Sequence, residues 1–353
     1  MAHGELPPLN ITPGAIRFNT DSMKLEYFRI GTEGTTNSAS GIGTMAAGEW
    51  VQVTTNSPEI MTNGTRGLIA SGNTNSGKIE MANLASTGNI AVFGDIGGTG
   101  GAYRVGTADK TRAVFFNAQN ATDSQFVTIA SHGNATSESH TTMPTDYNQA
   151  ASASDGVRGF RVGGTDAGVS YNTIYQIIFQ TTGISLDFGD LSVARHASHG
   201  NMSPTRAVFA GGANPSNANG VTTIDYIQMA TQGIAANFGD LKEAGKYRMS
   251  GCNAVRGLVA GGSINNSAQR AIEYVTMATL GEVVDFGNLG GDANAGSNGA
   301  CSSPTRALFV GVGNNDTTNY VEIMSTGTAE QFGDLTLGRN YAGTTSNGHG
   351  GLG

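Results

Sequence analysis

The 353-residue sequence predicts an all-β fold: a six-bladed β-propeller carrying a small N-terminal β-hairpin extension. Three observations predict it. Turn-forming residues dominate the composition, one apolar segment headed by an arginine recurs six times, and each period has room for four short strands. Four strands in ~48 residues is the size of one propeller blade.

The chain holds 53 glycines, and only 13% of its residues are charged. Ser, Thr and Asn are abundant while Lys and Glu are scarce, which disfavours long helices and favours short strands joined by tight polar turns. The formal net charge of -8 repels phosphate backbones, so no nucleic-acid partner is expected. No apolar run reaches the ~18 residues of a membrane span. The start, Met1-Ala-His-Gly-Glu-Leu-Pro-Pro8, lacks the basic-then-apolar layout of a secretion signal. Two cysteines, Cys252 and Cys301, are too few for a disulfide scaffold, and both read as buried thiols.

The repeat is clearest in Ser203-Pro-Thr-Arg-Ala-Val-Phe-Ala-Gly-Gly212, Asn253-Ala-Val-Arg-Gly-Leu-Val-Ala-Gly-Gly262 and Ser303-Pro-Thr-Arg-Ala-Leu-Phe-Val-Gly-Val312. Arg66, Arg112, Arg158, Arg206, Arg256 and Arg306 head the six copies, at spacings of 46, 46, 48, 50 and 50. A strand such as Thr223-Ile-Asp-Tyr-Ile-Gln-Met-Ala230 follows, then Thr-x-Gly, which reads as a hairpin turn. The next strand ends in Phe-Gly-Asp-Leu or a close variant, at 93–96, 188–191, 238–241, 286–289 and 332–335. The second copy lacks this tetrad, and residues 136–156 read as a longer loop there. A fourth strand fits before each following arginine, as in Arg195–Met202.

Each residue type has a physical reason. Strands apolar on both faces suit a blade sandwiched between two neighbours. The pairs Gly163-Gly164, Gly211-Gly212 and Gly261-Gly262 permit positive φ and close backbone approach where strands converge. Asp95, Asp190, Asp240 and Asp334 can hydrogen-bond their own following backbone, as Asp does in turns. Six arginines at one repeat position predict a ring of equivalent contacts, each to an acceptor on the neighbouring blade, with the Phe-Gly-Asp carboxylate as candidate.

The order of arginine, strand, Gly-Gly, strand with Tyr and third strand resembles the kelch repeat, over roughly residues 53–353. Arg195–Gly212 is the closest match. The kelch repeat carries a late Trp. This chain has only Trp50, and the Phe of Phe-Gly-Asp takes that place. At the ends, Leu337–Ser346 reads as the strand that precedes an arginine, with no further blade behind it. It is expected to complete the first blade and remove an exposed sheet edge, with Ile60–Asn63 as the other source of that strand.

Residues 1–52 do not follow the repeat and are read as a separate attachment segment, leaving 53–353 for the propeller. Ala15-Ile-Arg-Phe18 and Lys24–Phe28 form a hairpin around Asn19–Ser22, followed later by Gly48-Glu-Trp-Val-Gln-Val53. These pieces, in this order, resemble a segment of phage tail fibres and other virion proteins. The resemblance implies a structural virion protein of a bacteriophage, tail fibre or tail-associated, assembled in the host cytoplasm. It would bind other virion proteins through its N-terminal segment and present loops to a host-surface glycan or protein, with homo-oligomers possible.

No catalytic, cofactor or metal residues are expected. His196 and His199 are three apart and face opposite sides of a strand, with no ligand cluster beside them. No nucleophile-elbow, phosphate-loop or zinc motif occurs, and the tyrosine, histidine and cysteine ligands of copper-oxidase propellers have no matching set. An intracellular kelch-type adaptor and a glycan-acting enzyme are the alternatives. The second would need paired carboxylates in the central channel. The Asn- and Ser-rich loops Ala213–Gly220, Ser263–Ser267 and Asn314–Asn319 follow the Gly-Gly position and are expected on one rim.

Overall fold

A computed structural model describes residues 14–19, 24–30, 48–52, 64–72, 77–97, 101–116, 124–136, 141–143, 147–293, 299–313 and 316–352. The chain divides into two units, Met1–Met61 and Thr62–Gly353. In the first unit, Ile16–Asn19, Lys24–Ile30 and Gly48–Gln52 form an antiparallel three-stranded sheet. Phe28 pairs with Trp50 across it, the rings edge-on at 5.4 Å.

The second unit is a six-bladed β-propeller. The fourth blade shows the plan: His199–Met202 innermost, then Arg206–Ala210, Val221–Gln228 and Ala236–Gly245, all antiparallel. The third, fifth and sixth blades repeat it from Ala151, Met249 and Ala300. The first blade takes its innermost strand from the far end of the chain, because Gly343–Ser346 pairs with Arg66–Ala70. The alternative source, 60–63, lies outside the described residues.

The second blade departs from the sequence expectation. Its sheet has three described strands, Val105–Ala108, Arg112–Phe116 and Ser124–Thr128. The stretch 136–156 is more than a loop. Thr136 donates its backbone N–H to the Phe126 carbonyl, Thr141–Thr142 runs parallel to Gly183–Ile184, and Ala151–Ser154 is the innermost strand of the third blade. Polar strand residues here hid the outer pairing from a reading based on hydrophobic alternation.

Burial explains why the arginine-headed strand reads as continuously apolar. Ala207 and Phe209 pack toward the third blade, while Val208 and Ala210 pack toward the fifth. Six apolar clusters result, one between each pair of adjacent blades, and the cluster joining Leu308 and Val310 to Ile69 and Leu84 closes the ring. Each fully buried Phe or Leu contributes about 1.5–3 kcal/mol. Cys252 and Cys301 are buried free thiols, Cys301 inside that closing cluster.

Two glycine positions are demanded by close approach. Gly211 and Gly212 adopt φ of 62° and 100°, and a Cβ on Gly212 would sit 2.6 Å from the His196 carbonyl oxygen. At the glycine of Phe-Gly-Asp, as in Gly239, a Cβ would overlap the carbonyl oxygen of Gly281 in the Thr-x-Gly turn of the next blade. Both obstacles are backbone, so no side chain can yield. Gly239→Ala is expected to cost about 1–3 kcal/mol, as overpacking does, read as a lowered denaturant midpoint with an unchanged m-value.

Candidate functional site

The residues singled out by the repeat form two inter-blade rings. Each arginine guanidinium reaches the next blade and donates to a backbone carbonyl just past its third strand. Arg112 reaches Phe179 at 2.5 Å, Arg206 reaches Met277 at 2.9 Å and Arg256 reaches Ile323 at 3.0 Å. Arg158 reaches Met229. Arg66 bonds Ile129 and Ala130, both at 2.7 Å, and Arg306 completes the circle at Leu84 and Ala85. The acceptor lies on the neighbouring blade, but it is a carbonyl and not the Phe-Gly-Asp carboxylate. Five of the arginines also lie over an aromatic ring of their own blade: four at Phe126, Tyr226, Tyr274 and Tyr320, 4.1–4.9 Å from the ring centre, and Arg158 at Phe160, 5.6 Å away.

The Phe-Gly-Asp segments build the second ring with their backbone. The Thr-x-Gly glycine N–H of one blade donates to the Phe carbonyl of the blade before it, as Gly233 does to Phe188 at 3.1 Å. Two residues on, another N–H reaches the aspartate's own carbonyl, at Asp95, Asp190, Asp240 and Asp334. The side chains do less than expected: no bond to their own following backbone is seen, and Asp95 takes Lys78 at 2.6 Å while Asp240 takes Thr222 at 2.9 Å.

A third ring escaped the sequence reading. The residue three before each arginine caps that arginine's backbone N–H: Asp109, Asp155, Ser203, Asn253 and Ser303 in five blades. In the first blade Asn347 supplies the cap at 3.0 Å, just after the closing strand. Among the described residues there are three buried ion pairs: Arg195 with Asp225 at 3.1 Å, Arg248 with Glu273 at 3.0 Å, and Arg339 with Glu80. Burial holds the Glu273 carboxyl above its usual range although Arg248 lies beside it.

The innermost strands converge on the axis, where their outer edges need hydrogen-bond partners. Small polar residues supply them. Ser152 donates to Gly106 O, Ser154 to Ala108 O and Ser250 to Gly200 O, each at 2.8 Å, and Ser346 to Ser302 O at 2.5 Å. These strands enclose an axial chamber of about 100 Å³. One end is closed by the chain's own residues 349–352: the His349 ring lies 2.8 Å from Ala108 O through Nε2 and accepts from Gly351 N through Nδ1.

The other end is a mouth set by positive-φ residues just before the innermost strands: Tyr103, Gln149, Ala197, Tyr247 and Tyr341, with φ of 54–72°. The Tyr103 and Tyr341 rings lie 4.3 Å apart at a tilt of 43°, Tyr247 meets Tyr341 at 6.0 Å, and the Tyr247 hydroxyl donates to Gln149 Oε1 at 2.8 Å. Burial and the neighbouring phenols push the Tyr103 hydroxyl well above its usual range. No metal-ligating cluster of three or more His, Cys, Asp or Glu occurs among the described residues. His196 and His199 diverge: His196 Nδ1 bonds the Ser170 hydroxyl at 2.9 Å, while His199 borders the chamber.

Burial lowers His199 and His349 to about 4. The unfolded chain binds these protons near 6.5 and the native state does not. Stability is therefore fully present above 6.5, falls as pH drops toward 4, and levels off below it. Each histidine is expected to contribute a loss of about 3 kcal/mol over that window. Denaturant midpoints at pH 4.5 and 7.5 check this, and His349→Gln should roughly halve the difference, leaving the share of His199.

Of the rim loops, Ser263–Ile264 pairs with Ser267–Ala268 through Asn265 and Asn266 in left-handed conformation, and Asn214 Oδ1 caps its own turn at Asn217. Asn314 and Asn315 lie outside the described residues.

The fold has a neighbour among solved structures. The β-propeller protein YjhT superposes with a TM-score of 0.56 at 12% identity, over 68% of this chain and 86% of that one. No family model matches the sequence, and no curated protein matches it.

Proposed function

We propose that the chain is a kelch-like structural protein of a bacteriophage particle, tail fibre or tail-associated, that acts by binding and not by catalysis. The carrying observation is the N-terminal unit. Its three-stranded sheet puts Ile16 and Phe18 on one face, together with the paired Tyr27, and leaves the first two 65% and 55% exposed. A second virion protein that covers this face would remove its apolar side chains from water. The tail-fibre-like sequence of the same segment supports that partner class. In the propeller, the repeat residues are spent on joining blades, and no carboxylate borders the axial chamber among the described residues.

Mass spectrometry of purified particles tests the reading. The full chain is expected at a fixed stoichiometry, and a chain lacking residues 1–52 is expected to be absent. Incorporation of the truncated chain would sink the attachment role, and absence of the full chain would sink the virion role.

A further inference from the structure

We propose that the tyrosine-rimmed axial chamber is a binding site for one small, neutral, ring-shaped polyhydroxylated molecule, a single sugar or cyclitol. The inference is independent of whether the chain rides on a virus particle.

Size comes first. A chamber of about 100 Å³ far exceeds the ~10–15 Å³ that one water needs on the same measure, so it can hold a six-membered ring. Its depth is limited, because residues 349–352 close the far end. A polymer therefore cannot thread it.

Chemistry comes second. The mouth offers three aromatic rings, whose faces suit the C–H face of a sugar ring. The Tyr247 hydroxyl and the Gln149 side chain already bond one another there, so they can exchange that bond for one to a ligand hydroxyl. Deeper in, Ser198 borders the chamber with its hydroxyl turned out of reach of a water-sized probe. Beside it the His199 ring is neutral, offering one donor and one acceptor nitrogen.

Charge comes third. No carboxylate borders the chamber among the described residues, which removes the partner a cationic ligand needs. The one guanidinium on the wall, Arg104, is buried and directs Nη2 toward Gly97 O at 3.5 Å. The wall is otherwise hydroxyl, amide and backbone, the partners of a neutral polyol.

Calorimetric titration of the full chain with glucose, N-acetylglucosamine and myo-inositol, each to about 50 mM, tests the proposal; an affinity near millimolar is expected for a ligand of this size. At least one should saturate, and Tyr341→Ala should weaken it by about tenfold, the effect of losing one favourable contact. The substitution is compatible with the backbone, because Ala197 holds the same repeat position at φ 54°. Saturation by the sugars alone or by inositol as well both support the site and separate a sugar from a general polyol. Gln149→Ala gives a second readout, since it removes the mouth amide that bonds Tyr247 at a backbone position that Ala197 also holds; it too should weaken binding. Three outcomes overturn the proposal: no saturation with any of the three, equal affinity in both variants, or tighter binding of glucuronate than of glucose.

Discussion

A chain that stops at Ala342 is expected to lose the cooperative unfolding transition of the propeller. Such a chain lacks Gly343–Ser346, the strand that pairs with Arg66–Ala70 and converts an open row of blades into a ring. The loss reaches beyond four paired residues. Asn347 no longer caps Arg66, Ser346 no longer bonds Ser302, and the His349 segment no longer closes the chamber. The cluster between the sixth and first blades, with Ile69, Leu84 and Leu308 fully buried, is then left to a blade without its innermost strand. Backbone hydrogen bonds contribute about 1 kcal/mol each net, and the apolar groups exposed with them add several more. The sum is comparable to the ~5–15 kcal/mol that holds an ordinary domain together. Calorimetry should show a broad, low-enthalpy transition in place of a single sharp one. An unchanged transition would mean that ring closure by the chain ends contributes little.

This closure is legible in the sequence, because the last segment matches the strand that precedes an arginine while the first arginine lacks a good one. The blades were legible for a similar reason. Arg66 to Arg306 recur because each meets the same requirement, a carbonyl on the next blade, and the apolar strand behind each must fill two inter-blade clusters. The nature of that acceptor was not legible, because a backbone carbonyl leaves no mark on residue type. The caps leave a mark in the sequence, since Asp, Ser or Asn stands three before five of the arginines, but three different residue types share the role and no single letter repeats. The chamber mouth was harder. Tyr103, Gln149, Ala197, Tyr247 and Tyr341 share a backbone conformation, but the tyrosine that marks three of them is broken at Gln149 and Ala197.

The buried ion pairs were hidden differently. Glu80, Asp225 and Glu273 sit in strands of alternating polar and apolar residues, where an acid reads as a solvent-facing group. Yet the signal was present: Phe-Gly-Asp-Leu is followed by Ser192 and Arg195 in one copy and by Thr336 and Arg339 in another, at the same offsets. Ser192 donates to Asp225 from its backbone N at 3.1 Å and its hydroxyl at 2.7 Å, and Thr336 treats Glu80 the same way. Thus the four-residue step after Leu191 or Leu335 builds a polar clasp around an acid on the blade that follows.

Asp225→Ala is expected to destabilise the protein by about 3–5 kcal/mol, the usual effect of removing one partner from a buried pair. Both Arg195 and Asp225 are fully buried, and burial already disfavours the charged guanidinium, with Asp225 opposing that shift. Without the carboxylate the charge has only the Phe209 carbonyl, 3.1 Å from Nη2. The Ser192 hydroxyl and N–H lose their acceptor in the same step. This predicts a sharp asymmetry. Replacing both residues, Asp225→Leu with Arg195→Met, should recover most of the lost stability, because the penalty comes from the stranded charge and less from the missing attraction. Urea denaturation of the single and double variants gives the comparison directly. If the double variant is as unstable as Asp225→Ala alone, the pair stabilises the blade in its own right. If it approaches the parent, the pair's role is to select which strand a linker returns to, since only a linker carrying Arg195 can neutralise that acid.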